Sequence, residues 1–480
     1  MTLSNTMAIL PEIIIAIAAL SVMLCDIFLG KKIQSISYIV SQFFLISASC
    51  CTIKETITPI CMVSGGGTLT HNFIFNMHQC IFLIGFLVFL YGKDYIKDHV
   101  LPAGEFYVLS LLSILGALVL ISSYSLLTIY IGLELLSLPL YALLAIRSEF
   151  LRSSEAAVKF FIMGAITSGF LLYGMSLIYG ITGSINILDI SYYLTNKNLA
   201  HSNLVLIAML LMLTTASFKL GVVPFHMWVP DVYEGSPKVV IAFISSISKL
   251  ATFAMLFNIL IIIMPAQDYA WKPVLIILGV LSIFLGNVLA LTQINIKRLL
   301  GYSAIVHTGF IFLGLVLSPT SFSIEIVLYY LIIYSLMVTA VFGCLILLSL
   351  KGNNIEVLSD ISGLNSRNPW LSFLILMIMF SMAGIPPFAG FIAKFFIIMG
   401  LVNQESYVLA VYALIMSVIA SFYYIRVVKM MYFDLPFSRT TIYINKKNLL
   451  VLSINCLLIL ILGMFPGLLI NLIRPVFFLP

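Results

Sequence analysis

The sequence predicts an all-α integral membrane protein of about 14 transmembrane helices, with two inverted five-helix repeats that each contain a Pro-broken helix. Three observations support this expectation. Hydrophobic residues make up 62% of the chain, charged residues only 9%, and mean hydropathy is +1.17, which excludes a soluble core with a polar shell. Apolar runs of about 20 residues, enough for a bilayer core of about 30 Å, recur along the whole chain. Two of those runs carry the same interruption, G-x-x-P-F.

Backbone groups in lipid must be satisfied internally, so each apolar run is read as a helix. The runs are 7–29, 36–53, 73–91, 106–122, 124–146, 155–180, 203–227, 236–264, 271–293, 299–317, 324–350, 369–401, 405–433 and 449–472. The fourth and fifth are nearly fused, so their boundary is the least defined. Lys and Arg collect in cytoplasmic loops. One set of alternate loops holds Lys31, Lys32, Lys93, Lys97, Arg147, Arg152, Lys238, Lys297, Arg298, Lys351, Arg367, Arg439, Lys446 and Lys447; the other set, with the C-terminal tail, holds Lys54, Lys197, Lys272 and Arg474. Fourteen against four places both termini outside the cytoplasm, and the net charge of +6 becomes a topology signal rather than a nucleic-acid patch. No basic region precedes the first run and no small-residue cleavage site follows Leu29, so it is expected to be a retained span.

The interruptions are Gly221-Val-Val-Pro224-Phe225 in the seventh run and Gly384-Ile-Pro386-Pro387-Phe388 in the twelfth. A helix-interior proline removes a hydrogen bond and clashes with the preceding turn, so Gly221, Pro224, Gly384, Pro386 and Pro387 are the residues expected to break the two helices. Freed backbone at membrane depth is tolerated only beside protein or water. The sites are five helices apart, and an odd number inverts the second copy relative to the first, a pattern found in secondary transporters. The expected organisation is three N-terminal helices over 1–104, a first repeat of helices four to eight over 105–265, a second of helices nine to thirteen over 266–434, and a loop with helix fourteen over 435–480.

The ionisable residues singled out inside the runs are Glu134, Lys219, His226, Lys249, His307 and Lys394. Charge at membrane depth is costly and marks ion or proton pathways. Lys219 precedes Pro224 and Lys394 follows Pro387, comparable places near both breaks. Burial penalises the charged form of a lysine, which lets it trade a proton. Glu134 meeting such a lysine makes a proton switch, Lys249 passes the proton onward, and His226 and His307 are candidates to bridge polar gaps, since histidine changes charge near neutral pH. A static pair that fixes helix register would explain one Glu and one Lys, but three central lysines against one central carboxylate leave charge over. Glu155 and Lys159, four apart, are weaker candidates with the spacing of an ordinary helix pair. Arg426 and Lys429 are expected to snorkel to headgroups. The seven cysteines form no C-x-x-C pair, so neither an iron–sulfur nor a zinc site is expected. No Walker loop or dinucleotide fingerprint is present, so neither ATP nor NADH is expected on the chain.

The segments LELLSLPLYALLA, EAAVKFFIMGAITSGFLLYG, FKLGVVPFHMWVPDVYEGSP, KRLLGYSAIVHTGF and MAGIPPFAGFIAKF resemble the antiporter-like membrane subunits of bacterial NADH:quinone oxidoreductase, respiratory complex I, and within them the subunit N family. The likeness runs from about helix three to helix thirteen. Fourteen helices match the bacterial form; the animal mitochondrial counterpart lacks the first three, and the plastid homologue is similar in its motifs. The resemblance implies a proton-translocating membrane-arm subunit in the bacterial inner membrane, partnered by neighbouring membrane-arm subunits and by lipid and not by nucleic acid. It implies that Glu134 pairs with Lys219, that Lys249 lies between half-channels, and that Lys394 gates the second. Protons would enter from the cytoplasm. Flavin, iron–sulfur clusters, NADH and quinone would be handled by other subunits, with no redox centre or cofactor here. Subunit M typically has a glutamate where Lys394 stands, and the long lateral helix of subunit L is missing. The alternatives are a cation/proton antiporter, free-standing or multisubunit, against which the lack of a sodium-binding carboxylate cluster counts, and a subunit that only seals the membrane arm.

Overall fold

The computed structural model describes residues 9–29, 34–55, 61–63, 68–70, 72–147, 149–196, 202–317, 321–350, 355–436 and 445–473. The loop cations Lys31, Lys32, Lys197, Lys351, Arg439 and Arg474 lie outside them. The helices are α1 (Leu10–Leu29), α2 (Gln34–Glu55), α3 (Asn72–Asp98), α4 (Ala103–Ile121), α5 (Leu126–Leu144), α6 (Leu151–Thr182), α7a (Asn203–Leu220), α7b (Trp228–Gly235), α8 (Lys238–Ile263), α9 (Asp268–Leu291), α10 (Ile296–Leu315), α11 (Ser321–Leu348), α12a (Pro369–Ala383), α12b (Ala389–Asn403), α13 (Tyr407–Tyr432) and α14 (Lys446–Met464). Short helical turns link several of them.

Thirteen helices among the described residues are long and apolar enough to cross a membrane. The twelfth span makes fourteen: its break leaves two half-helices of 15 residues each, too short to count singly. The seventh run ends as a helix at Leu220 rather than 227, because the backbone turns left-handed at Gly221. Helix α3 continues past its predicted end to Asp98, which puts Lys93 and Lys97 on a helix. A short antiparallel pairing of Cys61–Val63 with Thr68–Thr70 lies between α2 and α3 in the otherwise all-helical fold. That linker is rich in Thr and Gly, which suits a hairpin better than a helix.

The breaks differ from the sequence expectation in one respect: the prolines follow the helix ends instead of interrupting helical turns. Gly384 closes α12a in a left-handed conformation, donating its N–H to Phe380 O and Ser381 O at 3.1 Å, while the Ile385 N–H reaches Phe380 O at 3.0 Å. The glycine thus ends the ladder, and Pro386 stands two residues beyond it, where a proline clashes with nothing in the helix. Pro386 and Pro387 are exposed, lie in the non-helical gap before Ala389 starts α12b, and are joined by a cis peptide. Pro224 likewise lies in the turn between α7a and α7b, three residues after the left-handed Gly221, and the Val223–Pro224 peptide is also cis.

Side-chain capping separates α4 from α5. Ser125 accepts the Thr128 N–H at 3.2 Å, and the Ser125 N–H is donated to Thr128 Oγ1 at 3.1 Å, a reciprocal cap that starts α5. The backbone before α5 also bridges to the turn after α6, with Leu126 N–H to Ile185 O at 2.9 Å and Ile187 N–H to Tyr124 O at 3.0 Å. The start of α10 repeats the device. Asn295 caps α10, Ile296 N–H bonds Glu356 O at 2.9 Å, and Leu358 N–H bonds Ile294 O at 3.0 Å.

Two compact units divide the chain. The first holds Met1–Phe89, Leu101–Leu220 and Ile247–Val274; the second holds Leu90–Val100, Gly221–Ser246 and Leu275–Pro480. In the first, α4 packs closely on α5 and on α1, with Gly116 pressed against the Leu135–Leu136 backbone where a Cβ would have no room. In the second, α11 is the buried centre and touches α10, α12a, α12b and α14.

Candidate functional site

In the first unit the site is built on one face of α5. Glu134, Ser137 and Tyr141 are three and four residues apart and therefore stack along the helix. Lys219, near the end of α7a and only 3% exposed, reaches that face. Its ammonium donates to Ser137 Oγ at 2.7 Å and Tyr141 Oη at 3.0 Å. Ser137 spends its own proton on Leu133 O at 2.6 Å, which leaves its oxygen free to accept. The rings of Tyr141, Phe160 and Phe218 surround the ammonium at 5.1, 5.4 and 5.9 Å, a cation–π cage. Glu134 is half-buried and stands within electrostatic reach of Lys219 and Tyr141, but the hydrogen bonds of Lys219 go to neutral hydroxyls.

The cage is held from α6 and α7a. A Cβ on Gly164 would stand 2.0 Å from Tyr141 Oη, so the phenol occupies space that only glycine leaves open. Thr215 Oγ1 donates to Thr167 O at 2.6 Å and ties α7a to α6 beside it. Lys249, 2% exposed, begins the α-helical stretch of α8 that follows a π-helical turn at Ile244–Ser248. Such turns widen a helix and recur at functional positions.

The first break and α7b belong to the second unit. The Val223 N–H freed by the break donates to Ser282 Oγ of α9 at 2.9 Å, and Ser282 in turn donates to Leu278 O at 2.6 Å. His226 lies buried in the break, and its carbonyl accepts the Val229 N–H at 2.9 Å. Lys297 caps the far end of α7b by donating to Glu234 O and, at 3.4 Å, to Ser236 O. Arg298 pairs with Glu234 at 2.8 Å and Asp231 at 3.4 Å. Lys238 and Lys297, expected as loop cations, are thus buried in the first turns of α8 and α10.

His307 on α10 centres a hydroxyl network in the same unit. Its Nδ1 meets Tyr330 Oη at 2.8 Å and its Nε2 meets Tyr424 Oη at 3.2 Å. Tyr424 also contacts Ser303 Oγ at 2.5 Å, and neighbouring Tyr423 donates to Asn287 Oδ1 at 3.3 Å. Lys394 on α12b, 4% exposed, turns away from this network. It donates to Met382 O and Ala383 O, both at 3.0 Å, at the C-terminus of α12a and across the gap that holds Pro386 and Pro387. Those carbonyls have no intrahelical partner, and a cation there also meets the negative end of the helix dipole.

The remaining candidates lie apart. Glu155 and Lys159 form an exposed i,i+4 pair at 2.8 Å. Arg426 donates to Leu291 O at 3.3 Å, and Lys429 pairs with Asp434 at 3.1 Å. Among the described residues no group of three or more His, Cys, Asp or Glu is placed to hold a metal ion. The sequence reading did not single out Ser137, Tyr141, Tyr330 or Tyr424. The first two were detectable as the i+3 and i+7 partners of Glu134; the other two come from helices distant in sequence and left no local signal.

The sequence model of the family described as NADH:quinone oxidoreductase/Mrp antiporter, TM, matches residues 123–420. NADH-quinone oxidoreductase subunit N of Francisella tularensis subsp. holarctica is 44% identical over 98% of this chain and 97% of its own length. The chain belongs to the NADH-quinone oxidoreductase subunit N family. The protein of that family from Thioalkalivibrio sulfidiphilus is 43% identical over 97% of each chain. Among solved structures, a chain of respiratory complex I from Thermus thermophilus with bound aureothin superposes with a TM-score of 0.81 at 28% identity, covering 97% of this chain and all of that one. A chain of the Mrp complex from Dietzia sp. shares the fold with a TM-score of 0.86 at 19% identity over 99% of this chain and 97% of its own.

Proposed function

We propose that this chain is a proton-translocating membrane-arm subunit of NADH:quinone oxidoreductase, with Glu134, Lys219, Lys249 and Lys394 as its relay. The observation that supports this most is the burial of three lysines, each 2–4% exposed, within spans apolar enough to cross a membrane. Lys219 and Lys394 are solvated by neutral oxygens. A hydroxyl or carbonyl stabilises an ammonium less than a carboxylate does, so such a lysine gives up its proton at smaller cost. Glu134, close enough to act on Lys219 through its charge, then tunes how readily that proton leaves. Quinone reduction in other subunits would perturb this pair, Lys249 would pass the proton on, His226 and His307 would bridge, and Lys394 would gate the second half-channel. Glu155 and Lys159, an exposed pair, are the weakest members of the set.

The finer assignments belong to the same proposal. Protons would enter from the cytoplasm, and both termini would lie on the opposite side of a bacterial inner membrane, as the loop charges suggest. Residues 105–265 and 266–434 would be the two inverted repeats, between the helices of 1–104 and the closing segment 435–480. The matching bridges before α5 and α10 support that register. Flavin, iron–sulfur, NADH and quinone sites would belong to partner subunits.

A native gel of mildly solubilised membranes, probed for this chain and stained for NADH oxidation, tests the assembly. Comigration with a large NADH-oxidising band is expected; migration without dehydrogenase activity would sink the assignment. In the assembled complex, Lys219→Ala is expected to reduce coupled quinone reduction sharply, and normal turnover with normal pumping would refute the relay.

A further inference from the structure

Lys394 and the His307 network lie in the same unit, yet among the described residues no hydrogen bond of Lys394 leads toward the network. Both of its bonds run to the α12a carbonyls of Met382 and Ala383. The ammonium also stands over the ring of Phe310, 5.6 Å from the centroid. That ring is fully buried and stacks on Tyr330, with centroids 6.2 Å apart and planes only 17° from parallel. Tyr330 in turn holds His307 Nδ1. Phe310 follows His307 by three residues on α10, which sets it one helical turn along the same face. The contacts therefore run from ammonium to apolar ring, from ring to phenol, and from phenol to imidazole.

We propose that Phe310 is the insulating gate between Lys394 and the His307 network. This rests on the relay reading above. With the ring in place, the proton on Lys394 has an aromatic face beside it and, among the described residues, no hydrogen-bond acceptor beyond the two carbonyls, which cannot carry a proton onward. Apolar constrictions of this kind block ions and protons by excluding water. When the ring leaves the gap, one proton passes from the Lys394 ammonium, leaving a neutral amine, through the Tyr330 hydroxyl to His307, which becomes imidazolium. Charge and protons balance without a further reactant. The phenol relays by accepting one proton on Oη while giving its own to Nδ1. The ring also has a second role with the gate closed, since its face stabilises the charged lysine.

The test uses the assembled complex in inverted membrane vesicles, with three readouts: NADH-driven quinone reduction, acidification per NADH oxidised, and the decay of an imposed pH gradient once turnover is inhibited. Phe310→Ala is expected to speed the passive decay several-fold and to lower acidification per NADH while quinone reduction continues. Phe310→Leu, which keeps apolar bulk, is expected to hold the gradient. Should the alanine variant fail to assemble, Phe310→Val is expected to leak in the same direction. Decay and acidification per NADH like those of the parent, in an assembled Phe310→Ala or Phe310→Val complex, would overturn the gate. The double variant Phe310→Ala with Lys394→Met separates this proposal from the relay. A leak that disappears on losing Lys394 supports the gate, whereas a leak that persists overturns it and leaves the relay standing. Full pumping in Lys394→Met alone would instead remove the relay member on which the gate depends.

Discussion

At the first break Gly221 stands at φ 74°, and at the second Gly384 stands at φ 85°, each followed three residues later by a proline. Beyond that shared start the two sites diverge. The second break carries an additional proline, Pro386, where the first has Val223, whose N–H is free to bond Ser282. The first lysine precedes its break by five residues from the proline, and the equivalent position in the second is Met382. The second lysine follows its break by seven residues, and the equivalent position in the first is Asp231, which pairs with Arg298. The first span therefore keeps its cation before the interruption, where it reaches across to hydroxyls of α5. The other keeps it after the interruption, where it folds back on the carbonyls of its own span. Matching helix breaks need not hold matching ligand sets.

The same displacement appears on the neighbouring helices. Ser137 lies twelve residues after the Ser125 cap, and His307 lies twelve residues after the Asn295 cap. In the first unit that position accepts from Lys219 directly; in the second it binds Tyr330 and Tyr424 while Lys394 points elsewhere. The first unit has its lysine and its hydroxyl acceptors in contact, and in the second the lysine meets the Phe310 ring, which stacks on Tyr330.

The comparison can be broken most directly at the lysines. Lys394→Arg keeps a donor for the Met382 and Ala383 carbonyls but cannot release a proton. It is expected to assemble well and to lose most proton transport, measured as acidification per NADH. Assembly with full transport would mean that Lys394 is only a cap. Lys394→Met removes both functions and adds a stability cost of about 1–3 kcal/mol for unsatisfied buried carbonyls, seen as earlier thermal loss of the native-gel band.

Gly164→Ala probes the first site without touching a charge. Its methyl group would fall 2.0 Å from Tyr141 Oη, so the phenol must move and Lys219 loses one of its two oxygens. An intermediate loss of turnover is expected, whereas Gly169→Ala, with open space around it, should behave like the parent. Equal behaviour of the two variants would show that Tyr141 is a bystander. Gly384→Ala asks how much the second break depends on its left-handed residue. A left-handed alanine costs about 1–2 kcal/mol, and the new Cβ meets Lys394 Cδ at 3.0 Å, so lowered thermal stability with a modest drop in pumping is expected. The smallest effect is expected from Glu155→Gln. An exposed i,i+4 pair contributes about 0–1 kcal/mol, and quinone reduction should stay within error of the parent. A large loss would move Glu155 and Lys159 into the relay.

Sequence alone determined the fold class, the number of spans and the place of both breaks. Bilayer thickness fixes how long an apolar run must be, and the G-x-x-P-F pattern marks where the ladder stops, although the left-handed glycine ends each helix and the prolines follow it. It also identified Lys219, Lys249 and Lys394 as buried cations, because no solvent exists at that depth except what the protein provides, whereas Lys238 and Lys297 were expected in loops and are buried. The ligands of those charges were decided by the tertiary structure. Lys219 finds Ser137 and Tyr141 from 78 residues or more away, and His307 finds Tyr424 from 117 away, so neither contact leaves a periodic trace. Phe310 reads in sequence as one more apolar residue of α10. Only the packing of α10, α11 and α12b sets its ring against both an ammonium and a phenol, the contacts on which the proposed gate rests.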